Sequence, residues 1–100
     1  MEMLKAIEIG QISVVRRLIL EGHDVNEFSE SMNCPLLEAA SRNDTAIVKL
    51  LMEHGANPNV EDVKGRSPLS WAQTHGNTLM GKMLGLQSIV GQEIRTTKAR

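Results

Sequence analysis

The apolar residues of this chain fall into short blocks with helical spacing, and the blocks recur. Leu36, Leu37, Ala39 and Ala40 form one block, and Ile47, Val48, Leu50 and Leu51 form a second that lies along one helical stripe. Pro35 stands at a first helical position, where its missing N–H is harmless. Asn43 and Asp44 end the first helix, and Asp44 or Thr45 caps the second. Gly55, after His54, supplies the left-handed residue that stops the second helix, and Asn57, Pro58 and Asn59 turn the chain. Residues 60–67 form a linker with Gly65 as its pivot. Shifted by 33 positions, Leu4, Ala6, Val15, Leu18, Gly22 and Asn26 coincide with Leu37, Ala39, Val48, Leu51, Gly55 and Asn59. Shifted once more, Pro35, Leu36, Ala39, Thr45, Lys49 and Leu51 meet Pro68, Leu69, Ala72, Thr78, Lys82 and Leu84. A period of this length, kept mainly at apolar, small and turn-forming positions, predicts stacked two-helix units that bury their faces against one another.

The pattern predicts helices around Glu2–Ile9, Ile12–Glu21, Leu69–His75 and from about Thr78, in addition to the middle pair. The expected divisions are 1–28 (first unit and N-terminal cap), 29–61 (second unit), 62–90 (third unit and C-terminal cap) and 91–100 (a basic, flexible tail). Arg17 takes the place that Leu50 has one unit later, which suits a terminal unit with one uncovered face. Gly81 and Gly85 replace Val48 and Met52, at roughly 1 kcal/mol each against Ala, and weaken the last helix.

The period and the helix-helix-turn order resemble ankyrin repeats. Cys34-Pro35-Leu36-Leu37-Glu38-Ala39-Ala40 and Ser67-Pro68-Leu69-Ser70-Trp71-Ala72 resemble the Thr-Pro-Leu-His-x-Ala signature of that family. Ile47 through Asn59 is similar to its second-helix and turn signature, and the resemblance runs from residue 1 to about 86. It implies an all-α solenoid of helix-turn-helix units joined by β-turn or hairpin loops. The family's Thr is Cys34 and Ser67 here, and its His is Leu37 and Ser70, so softer turns are expected. The resemblance further implies that the turn tips and the exposed side of the inner helices bind a partner. Those positions are Phe28, Glu30, Ser31 and Asn33 in the first turn and Glu61, Val63, Lys64 and Arg66 in the second. On the inner helices they are Lys5, Glu8, Ile9, Glu38, Ser41, Arg42, Trp71, Thr74 and His75.

Composition narrows the function. Hydrophobic residues make up 41%, with one Phe, one Trp and no Tyr, so the core must be aliphatic. The single Phe and Trp, Phe28 and Trp71, both fall on the implied binding face, where aromatics serve equally as core or as interface residues. A net charge of -1 argues against nucleic acid or anionic membrane as partner. The lone Cys34 excludes an intrachain disulfide framework. With no secretory or membrane-spanning segment legible, the expected location is the cytoplasm. His23, His54 and His75 have no Cys or carboxylate partners at metal-site spacing; His23 and His54 read as turn-proximal surface residues and His75 as a loop residue. Phosphate-loop and nucleophile-elbow motifs are absent, and carboxylates such as Glu61 and Asp62 read as solvated turn residues. Neither an enzyme, a cofactor nor a metal is expected.

The leading expectation is a non-enzymatic, monomeric protein-binding module. The chain begins with Met and holds little beyond three units, which favours a stand-alone binder that occludes or stabilises a partner protein. A bacterial immunity protein or inhibitor, neutralising a cognate toxin or enzyme, is one form of this reading. A second reading is an oligonucleotide or small anion held by Arg42, Lys64 and Arg66. A third is a spacer that docks onto more chain or onto itself through Ile89, Val90 and Ile94.

Overall fold

The computed structural model describes residues 2–85, and the segment carrying Ile89, Val90, Ile94 and the tail 91–100 lies outside the described residues. Five helices occur in order: α1 (Glu2–Glu8), α2 (Ile12–Leu20), α3 (Pro35–Ser41), α4 (Thr45–Glu53) and α5 (Pro68–His75). Residues 78–85 are the described part of a sixth, α6. The architecture is an all-α stack of helix pairs. No strand forms among the described residues, so the units are joined by turns rather than by strand-paired hairpins.

Inner helices α1, α3 and α5 stack in sequence, and α2 packs on α4 behind them. The middle helix is covered on both sides: Pro35, Leu36, Leu37, Ala39 and Ala40 of α3 are all buried. Ala39 and Ala40 present only methyl groups, which lets α3 approach its neighbours closely. Ile47, Val48 and Leu51 of α4 are fully buried against Val15 and Leu18 of α2. In α5, which among the described residues has an inner helix stacked on one side, only Pro68 and Ala72 are buried. Arg17 points outward, its side chain 60% exposed, within 3.8 Å of Glu21.

Local chemistry accounts for the helix ends. Asp44 Oδ1 accepts from the Ile47 N–H at 3.1 Å and caps α4. Asn77 repeats that bond one unit on, accepting from Met80 N–H at 3.0 Å. Gly55 adopts φ +89°, and the N–H groups of Gly55 and Ala56 donate to the carbonyls of Met52 and Leu51. These are the two crossed bonds of a Schellman stop. Asn43 occupies the same left-handed position in the second unit (φ +59°) that Gly10 and Gly76 occupy in the first and third. Asn tolerates this conformation, and here its Oδ1 accepts from Asn77 Nδ2 at 2.7 Å, joining the second and third units.

The expectation of softer turns fails in the third unit. Ser67 Oγ accepts from the Ser70 N–H at 3.1 Å, while the Ser67 N–H donates to Ser70 Oγ at 2.9 Å. Ser70 therefore does the bracing that a His was expected to do. In the second unit the Cys34 side chain makes no capping bond, and Asn33 Oδ1 instead accepts from the Cys34 N–H at 3.0 Å. No helix among the described residues is long and apolar enough to cross a membrane.

Candidate functional site

Two turns with one geometry stand beside the inner helices. In the first, the Ser29 N–H donates to Asn33 O (2.7 Å) and the Met32 N–H to Ser29 O (2.9 Å). In the second, the Asp62 N–H donates to Arg66 O (3.0 Å) and the Gly65 N–H to Asp62 O (2.9 Å). Met32 thus holds the place of Gly65. It takes it at φ +63° against the +76° of the glycine. A side chain in that region is disfavoured by roughly 1 kcal/mol or more.

Asp62 is the hub of the second turn. Its Oδ1 accepts from the N–H groups of Lys64 and Arg66, each at 2.9 Å, and its Oδ2 from Arg66 Nε at 2.8 Å. The Arg66 backbone N–H, then the guanidinium and the Lys64 N–H, hold the carboxyl below the usual carboxylate range. The reading of Asp62 as a solvated turn residue is therefore corrected: it organises the turn.

From Asp62 a line of contacts crosses to the helices. The Arg66 guanidinium lies 4.9 Å from the Trp71 ring centroid. Trp71 stacks on His75 with centroids 6.0 Å apart and planes at 24°. His75 Nε2 lies 2.9 Å from Ser41 O on α3. His75 is thus the last residue of α5 and not a loop residue, and its ring bridges two units. On α3, Glu38 Oε1 accepts from Asn33 Nδ2 at 2.7 Å, and Glu38 Oε2 pairs with Arg42 Nε. That bond, reinforced by the charge of Glu8, pushes the Arg42 guanidinium pKa further up.

Between the turns and the helices lies a cavity of about 240 Å³. Of the predicted positions, Ser31, Asn33, Glu38, Ser41, Val63, Arg66 and Trp71 line it together. Arg42 and His75 touch that wall from behind, through Glu38 and Trp71. The others are placed elsewhere on the surface. Phe28 (37% exposed), Glu30 and Lys64 are exposed in or beside the turns. Lys5, Glu8 and Ile9 are exposed at α1, and Thr74 Oγ1 donates back to Ser70 O. Glu61 lies with Pro58, Ser67 and Leu84 in a separate cleft. Met32, Leu37 and Asp62 line the cavity without having been singled out. Superposing the turns over one period, Met32 on Gly65, carries the signal for the first.

A larger, apolar cleft of about 750 Å³ opens over Leu69, Ala72 and Gly81 and reaches Gly85, where the described residues end. Among the described residues no group of three His, Cys, Asp or Glu side chains is placed to hold a metal ion. Cys34 is buried, which pushes its thiol pKa up and disfavours the thiolate.

A family model for ankyrin repeats, in three copies, matches residues 3–97. A putative ankyrin repeat-containing protein of Treponema pallidum (strain Nichols) is 32% identical over 84 residues, covering 84% of this chain and 28% of that protein. The putative ankyrin repeat protein YahD of Escherichia coli (strain K12) is 38% identical over 85 residues, covering 79% of this chain and 42% of that protein. A crystal structure of an ankyrin repeat domain from Acinetobacter baumannii AYE superposes with a TM-score of 0.78 at 37% identity, over 84% of this chain and 45% of that one. The chain spans less than half the length of each of these three relatives.

Proposed function

Since the chain belongs to the ankyrin-repeat family, whose repeats are in general non-enzymatic protein–protein interaction modules, we propose that it holds a partner protein against the cavity between its two turns and inner helices. The observation that carries this reading is the line Asp62–Arg66–Trp71–His75–Ser41. It fixes an Arg and a half-buried Trp, the residue types that dominate interface energetics, before any partner arrives. Side chains already ordered lose little freedom on binding, so more of the contact energy appears as affinity. The cavity is smaller than the ~300 Å³ typical of small-molecule sites and suits side chains of a macromolecule better than a cofactor.

Binding here acts by occlusion: the module covers a surface of its partner. Neutralising a toxin or an enzyme is one use of such a module, and the identity of the captured partner decides it. The oligonucleotide or small-anion reading is disfavoured by pairing, because Glu38 engages Arg42 and Asp62 engages Arg66. The lone Cys34, buried and unpaired, fits a reducing compartment such as the cytoplasm.

The test is affinity capture from lysate of the source organism, followed by quantitative binding of the recovered partner. Trp71→Ala combined with Arg66→Glu is expected to weaken that binding by tenfold or more, on the order of a hot-spot truncation. Circular dichroism should still report a folded, cooperatively melting domain. Unchanged affinity, or loss of folding in both the double variant and Arg66→Glu alone, overturns the reading and makes these residues scaffold.

A further inference from the structure

The charged side chains that line the cavity, Glu38, Asp62 and Arg66, are matched within the chain. Glu38 accepts from Asn33 Nδ2 through one oxygen and pairs with Arg42 through the other. Both oxygens of Asp62 are occupied, by the backbone N–H groups of Lys64 and Arg66 and by the Arg66 guanidinium. A partner carrying a charge into this space would have to compete with an intact pair, and would leave one of its members unmatched and partly desolvated. Apolar side chains stand among the polar ones of this lining: Met32 is 47% exposed, Val63 is 75% exposed, and Trp71 is half-buried. Met32 adds a further clue. A glycine relieves the left-handed backbone at the equivalent place, Gly65, whereas Met32 retains a long thioether side chain that lines the cavity. Met is the side chain that most readily reshapes itself around an apolar guest.

We infer that the cavity receives an uncharged, apolar segment of a partner polypeptide, one side chain of which seats between Met32, Val63 and Trp71, and that Met32 serves recognition at the expense of the fold. This rests on the reading of the cavity as the partner-binding site. The terminal guanidinium nitrogens of Arg66, which its Nε bond to Asp62 leaves available, face backbone carbonyl oxygens of the same segment. Such a partner is held through apolar burial, so its affinity is only weakly dependent on salt.

The experiment selects ligands from a displayed library of random twelve-residue peptides on the full chain. Enriched peptides are then measured by calorimetry against wild type, Met32→Gly and Trp71→Ala. The expected result is an enriched motif of aliphatic or aromatic residues without acidic or basic positions, bound with less than about a threefold change between low and high salt. Met32→Gly should weaken binding about fivefold or more, the scale of an interface residue that contributes measurably without being a hot spot, while raising the melting temperature. An acidic or basic motif overturns the inference. So does a Met32→Gly variant that melts lower, or one that binds as wild type while Trp71→Ala does not; this last outcome leaves the binding-site reading intact. Selected peptides indifferent to both substitutions, or no enrichment at all, overturn both.

Discussion

The first two units are tied by one side chain, and its removal is the sharpest test of how the stack is held. Asn26 Nδ2 donates to Gly55 O at 3.1 Å, and Asn26 Oδ1 accepts from the Asn57 N–H at 2.7 Å. Both acceptor and donor belong to the turn that ends α4, so the amide joins the close of the first unit to the close of the second. Each such bond contributes about 0.5–1.5 kcal/mol net of competition with water. Because the amide is exposed, the lower part of that range applies, and Asn26→Ala is expected to destabilise by about 1–2 kcal/mol. With a urea slope on the order of 1 kcal/mol/M for a domain of this size, the midpoint should fall by about 1–2 M. Glu27→Ala is the control: its neighbour is equally exposed and should stay within about 0.5 kcal/mol. Two probes sharpen the assay. Circular dichroism follows all units, whereas the fluorescence of Trp71, in the third unit, follows the far end. If Asn26 couples neighbours, the dichroism midpoint of Asn26→Ala moves at least as far as the fluorescence midpoint. An Asn26→Ala shift no larger than that of Glu27→Ala refutes the reasoning and assigns the stack to apolar packing alone.

Two further outcomes are expected. The carboxyl of Asp62 titrates below its ordinary value because the Arg66 and Lys64 N–H groups and the Arg66 guanidinium favour its charged form; a lowered folded-state value means that its contribution is complete above about pH 4 and fades as the pH falls through the depressed value. Asp62→Asn should therefore flatten the acid limb of the melting temperature against pH, and an unchanged acid limb counts against this role. Cys34 is 1% exposed with its thiol pKa raised by burial, so a disulfide reagent at mildly alkaline pH should label the folded protein far more slowly than the urea-unfolded chain; equal rates would show that the thiol is not shielded.

What could be read from the sequence is what local chemistry decides. Asp44, Ser67 and Gly55 end helices through bonds within a few residues of themselves, and the apolar stripe of α4 is the buried one. The period adds long-range information, since it aligns each inner helix with the next. The features that escaped depend on how separate turns and helices meet. Ser70 completes the capping box with a hydroxyl instead of the expected imidazole. Asp62 looked like any carboxylate in a polar turn until the turn closed around it. His75 looked like a loop residue, and only the approach of α5 to α3 brings its ring to Ser41 O. Met32 has the composition of a core residue and the backbone of a glycine, a conflict that no apolar pattern reveals.

The position of α3 between α1 and α5 also constrains how such a chain can change in length. The stacking of one inner helix on the next recurs after one period, so insertion of a complete unit would give an incoming helix surroundings like those of α3. An insertion of a single residue within α3 would instead rotate everything beyond it by about 100° about the helix axis and turn Ala39 and Ala40 away from the neighbours they admit. Tolerated insertions and deletions between the helices of one stack should therefore come as whole periods, and smaller ones should gather at the exposed tips of the turns, where the cavity's rim residues lie. Change in these chains is thus partitioned: copy number alters reach, and the turn tips alter what is gripped.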